Sequence, residues 1–146
     1  MPSKIMFRFE RGGQLVAELM PDIAPKTVES LLQMLPLQAT VYHSRWSGRE
    51  INFPLTSRGK IPREKQTTQT NTGDVIYWKE WEMPDSEAAE AIAIYYGAEI
   101  SRDHRGQLPV NVFARIPASQ WKKIEEIGLR IWQQGIEKVA VSVIES

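Results

Sequence analysis

The most varied chemistry in the chain is concentrated in Tyr42-His43-Ser44-Arg45-Trp46-Ser47-Gly48-Arg49-Glu50-Ile51-Asn52-Phe53-Pro54. The stretch reads as two short strands joined at Ser47-Gly48, a small-residue pair suited to a two-residue hairpin turn. In that register Arg45 pairs with Glu50, Ser44 with Ile51, His43 with Asn52 and Tyr42 with Phe53. Side chains alternate along a strand, so His43, Arg45, Glu50 and Asn52 share one face, and Tyr42, Ile51 and Phe53 turn to the core. A carboxylate, a guanidinium, an imidazole and an amide on one face make the leading site candidate. The plainer alternative is a surface ion pair, since opposite charges facing across two strands stabilise a hairpin by ~0.2–1 kcal/mol. A turn one residue longer would also scatter the quartet.

Composition bounds what such a site can do. The 146 residues predict one domain over 1–146, long enough to bury a core without staples. Hydrophobic residues at 42% and charged residues at 25% are an ordinary globular mix. Eighteen Lys and Arg against 18 Asp and Glu leave no net charge, hence no footprint for a nucleic acid. The lack of cysteine excludes disulfides, thiolate zinc sites and a thiol nucleophile. His43 and His104 are the only histidines, which argues against a multi-histidine metal site, and His104 between Asp103 and Arg105 reads as a solvated loop residue. Gly12-Gly13 and Gly73 lack phosphate-loop spacing and read as turns, so no cofactor and no metal are expected. The N-terminus alternates instead of running apolar. Neither a signal peptide nor a membrane span is expected, and the location is expected to be cytoplasmic.

The elements that must position the site follow from periodicity. Lys4–Glu10 alternates, Arg11-Gly12-Gly13 turns it, and Gln14–Met20 returns as a second strand. Pro25 suits a first helical turn, and Val28, Leu31, Leu32 and Leu35 make one buried stripe before Pro36. After the hairpin, Thr56–Thr72 reads as a long exposed loop. Strands are then predicted at Val75–Trp78, Glu90–Tyr96 and Val110–Ile116. An acidic loop holding Trp81 and Met83 follows the first of them, and a loop over 98–109 follows the second. Ser119 can cap a helix from near Gln120, with Trp121, Ile124, Ile127 and Ile131 on one side and Gly135 as its stop. Val139, Val141 and Val143 mark a closing strand. The order is β-β-α-β-β-β-β-β-α-β, mainly β. Many short one-sided strands favour a closed eight-stranded barrel with two capping α-helices, because closure removes unpaired edges. An eight-stranded barrel is filled by its own side chains, so a site would lie on the outer wall.

That order resembles a cyclophilin. Pro21–Glu29, with its Pro-Lys-Thr at 25–27, is similar to the cyclophilin strand-to-helix segment. Tyr42-His43-Ser44-Arg45 resembles the Phe-His-Arg that carries the cyclophilin catalytic arginine, with Ser44 intervening. A nearer likeness is to small, uncharacterised bacterial cyclophilin-like proteins. It rests on the Glu-containing strand Arg49–Phe53, the Gly-Asp-Val-x-Tyr-Trp strand Gly73–Trp78, Tyr96-Gly97 and Asn111-Val112. The resemblance implies a cyclophilin-like barrel more strongly than an activity. The Gln-Gly-Gly-Asp run of true cyclophilins is replaced by Gly48–Asn52, and most of their proline pocket is missing.

On this basis the expected function is a small-molecule site on the outer barrel face, for a polar, amide or carboxylate ligand. Its expected catalytic residues are Glu50, as general acid or base with a pKa raised by partial burial, and Arg45. Its expected ligand-binding residues are Tyr77, Trp78, Tyr96, Asn111, Phe113, Asn52 and His43. The alternatives are prolyl cis–trans isomerisation at Arg45 and a non-catalytic interaction subunit. For the latter, Trp81 and Met83 would cover either the site or a neighbouring subunit of a homo-oligomer.

Overall fold

A computed structural model describes residues 2–57 and 59–144. Eight strands form the body: β1 (Lys4–Phe9), β2 (Gln14–Leu19), β3 (Leu37–His43), β4 (Glu50–Pro54), β5 (Asp74–Lys79), β6 (Glu90–Tyr95), β7 (Asn111–Arg115) and β8 (Glu137–Ile144). They close antiparallel into a barrel in the order β1-β8-β3-β4-β6-β5-β7-β2, with β2 returning to β1. The alternation in the sequence sets the inside: Ile5, Phe7 and Phe9, Leu15 and Ala17, Ile51 and Phe53, and Ile92 and Ile94 are all buried. Phe7 and Phe53 meet edge-on within the barrel, centroids 6.3 Å apart.

Two helices lay apolar stripes on the barrel. Helix α1 (Pro25–Met34) buries Val28 and Leu31 and packs beside β7. Helix α2 (Trp121–Gln134) buries Ile124, Ile127 and Ile131 and packs beside β3 and β4. Gly128 lets α2 approach, since a Cβ there would run into the Tyr96 ring. Ser119 makes no cap: it falls within a 3-10 turn, Ala118–Gln120, and no side chain caps α2. The Gln120 amide is instead tied to both backbone groups of Val16, at 2.8 and 3.0 Å.

The Thr56–Thr72 segment departs from the expected exposed loop. Ile61 is buried, its carbonyl accepts from Trp81 Nε1 at 2.8 Å, and Glu64 Oε1 accepts from the Thr27 backbone and hydroxyl at 2.8 and 2.7 Å. Polar composition concealed these anchors, because they are single side chains and backbone groups whose partners lie far away in the sequence. Gln69–Thr70 pairs with Glu99–Ile100, and Arg102–Asp103 with Gly106–Gln107, small ladders with no sequence signal. Among the described residues, no helix is long and apolar enough to cross a membrane.

Candidate functional site

The register of β3 and β4 differs by one residue from the two-residue hairpin. Tyr42 pairs with Asn52 and His43 with Ile51, and Ser44 N donates to Glu50 O at 2.9 Å. The connection is the longer Ser44–Arg49 loop. Ser44 Oγ accepts from the backbone of Trp46 and Ser47 at 3.2 and 2.8 Å, and Gly48 takes φ +73°. Arg45 therefore does not face Glu50 across a ladder, and among the described residues no ion pair joins them. Tyr42, expected in the core, turns outward.

The slip rearranges the quartet without dispersing it. Tyr42, His43, Arg45, Glu50, Asn52 and Trp78 all line one cleft of about 680 Å³ on the outer wall. Its floor is the outward face of β5 and β6, where Ile76, Ala91, Ala93 and Tyr95 lie, and its rim includes Trp46, Trp132 and Ile136. Glu50 is 7% exposed and accepts from Asn52 Nδ2 at 2.7 Å. Burial raises its pKa above the usual carboxylate range, although hydrogen bonds from Asn52, Tyr95, Ser47 and Ser44 favour the ionised form. Burial and the neighbouring Glu50 charge likewise push the Tyr95 hydroxyl up.

A second cleft of about 470 Å³ shares the wall formed by His43, Ser44, Arg45 and Trp132. His43 Nδ1 lies 2.9 Å from Ser44 O, which can only accept, so Nδ1 carries the ring proton. Nε2 then accepts from the Tyr96 hydroxyl at 2.5 Å. Tyr96 thus opens on this second cleft, with its ring under α2. The Arg49 guanidinium is held by Glu99 at 2.6 Å.

Three expected ligand residues lie away from both clefts. Tyr77 points into the barrel and donates to Glu90 Oε1 at 2.5 Å. Phe113 is wholly buried in the core. Asn111 is also wholly buried: Oδ1 accepts from Glu64 N and Gln66 Nε2, both at 3.0 Å, and Nδ2 donates to Thr27 Oγ1 at 3.0 Å and Pro62 O at 2.9 Å. Sequence reasoning missed Tyr95, the register partner of Glu50, and the rim residues Trp46 and Trp132. Parity could have found Tyr95, because Tyr96 shares the inward face of Ile92 and Ile94. His104 stands in its loop beside Trp46, ring centroids 6.4 Å apart.

With this geometry in hand, the chain can be set beside known proteins. The family described as protein of unknown function, DUF3830, matches residues 9–143. No curated protein matches. The solved structure of McbB in complex with tryptophan is similar at a TM-score of 0.69 and 18% identity, over 94% of this chain. This chain spans only 44% of the McbB chain. The solution structure of the hypothetical protein AF2241 from Archaeoglobus fulgidus is similar at a TM-score of 0.61 and 22% identity, over 98% of this chain and 95% of that one. At these identities the likeness is one of fold.

Proposed function

The chain belongs to the DUF3830 family, and we propose that in this member the cleft at Glu50 binds a small polar organic molecule. The observation that carries the reading is Glu50 itself: a buried carboxyl with no ion-pair partner among the described residues, opening on a roomy, aromatic-walled cleft. An unpaired buried acid is costly for folding alone, and such groups concentrate where they bind or move protons. With its pKa raised, Glu50 is suited to hold a proton for a ligand amide or carboxylate, or to take one from it. Asn52 and Tyr95 stand against it, Trp78 lines the same cleft further along the sheet, and Arg45 and His43 stand at the mouth shared with the second cleft. That the McbB structure was solved with tryptophan supports a small molecule as the class of ligand for this fold. Element order and the Pro-Lys-Thr at 25–27 support a cyclophilin-like barrel in a single domain over 1–146.

The test is thermal unfolding of the wild type and Glu50→Gln with a panel of small amides, amino acids and dicarboxylates. A panel member should raise the wild-type Tm and bind Glu50→Gln about tenfold more weakly or worse, which is ~1.4 kcal/mol. Equal stabilisation of both proteins removes Glu50 from the site.

A further inference from the structure

We propose that the ligand of this cleft is a flat aromatic molecule carrying a basic amine, with the amine seated against Glu50 and the ring lying on the aromatic wall. The inference rests on the cleft being a ligand site and adds the chemical class. Two other buried acids hold their own counter-charge: Glu137 is bridged by Arg11 and Arg130 at 2.9 and 2.8 Å, and Asp74 by Arg115 at 3.0 Å. Glu90, in no ion pair among the described residues, takes hydrogen bonds from Ser57 and Tyr77, and the cleft it lines has no aromatic wall among those residues. Among the described residues, Glu50 alone combines burial, neutral hydrogen-bond partners and an opening onto an aromatic-lined cleft. Among the described residues no Lys, Arg or His lies within ion-pair distance of it.

The missing positive charge is one that a ligand can bring. An ammonium has only donors, which match an acceptor carboxylate, and the aromatic side chains of Trp78 and Trp132 line the same cleft, where the ring of the ligand would lie. An amide carbonyl or a second carboxylate would bring acceptors to a group already hydrogen-bonded as an acceptor by Asn52. The small side chains of Ala91 and Ala93 leave the floor open for a flat ring. Arg45, exposed at the mouth, is placed to meet an acid group at the outer end of the same molecule. Seating an ammonium favours the ionised form of Glu50, so binding sends any proton on that carboxyl to solvent.

Isothermal titration of the full chain with tryptamine, indole-3-acetamide and indole-3-acetate tests this, because the ring is constant and only the polar end changes. Tryptamine should bind at least tenfold more tightly than the other two. Glu50→Gln should lose that preference, and the wild-type ranking decides the matter even if the variant misfolds. Amide or acetate binding as tightly as tryptamine overturns the amine class and leaves the cleft standing. Silence from all three at millimolar concentration also overturns the amine class, and the cleft itself falls only if the broader panel is silent too.

Discussion

Asn111→Ala separates a ligand-binding asparagine from one that holds the fold. The side chain makes four hydrogen bonds, to Glu64 N, Gln66 Nε2, Thr27 Oγ1 and Pro62 O, and is fully buried. At ~1 kcal/mol of net stability for each bond the loss would reach ~4 kcal/mol. Gln66 and Glu64 are only partly buried, so water can restore part of what they lose. A cost of about 3 kcal/mol remains, a large share of the ~5–15 kcal/mol typical of a domain. In urea, with a slope of ~2 kcal/mol/M, the unfolding midpoint should fall by about 1.5 M. The 61–66 segment should also gain proteolytic sensitivity, because Asn111 is its tie to β7. A midpoint shift below ~0.5 M, together with lost ligand binding, would refute the structural role and return Asn111 to the site.

Two further outcomes follow from the same geometry. Burial opposes ionisation of Glu137, but hydrogen bonds from Arg130 and Arg11 hold its pKa below the usual range, so its stabilisation is present above the ordinary carboxylate pKa and is lost as pH falls through the lowered value. Glu137→Gln should cost about 2 kcal/mol at pH 7 and flatten the acid limb of a stability–pH curve, and an unchanged limb would contradict the pairing. Gly128→Ala should destabilise despite alanine's helix advantage of ~1 kcal/mol, because the new Cβ meets the Tyr96 ring, and a rise in Tm would show that the ring moves aside freely.

The barrel was legible in the sequence because its strands are short, alternating and separated by turn residues. Lys4–Phe9 and Gln14–Leu19 fall where alternation puts them, and all eight barrel strands and both helices appear in the expected order. The site was legible only in part, for reasons that are local. A two-residue turn and the six-residue Ser44–Arg49 loop differ through side-chain bonds of Ser44 that no periodicity reveals. Adjacent strand residues face opposite ways, so Tyr77 and Trp78 could never share a wall, and neither could Tyr95 and Tyr96. A bulge between Val112 and Ala114 shifts the β7 register, and Phe113 falls within it, in the core. The contribution of Trp132 depends on how α2 settles beside β3, which only tertiary packing decides.

On the proposed reading, Glu50 is a buried carboxyl that lacks a counter-ion among the described residues and faces a ligand cleft. Carbon-13 NMR of its side-chain carboxyl across a pH titration, assigned by comparison with Glu50→Gln, measures this directly. The account predicts a midpoint clearly above the ordinary glutamate value of 4.5, since burial penalises the charge. Because the folded state then binds more protons than the unfolded one, stability should decline as pH rises from 4.5 through that midpoint, and Glu50→Gln should remove the decline. A midpoint at or below 4.5, unmoved by every ligand of the panel, would mean that a cation already satisfies Glu50 and that the cleft is not built around it.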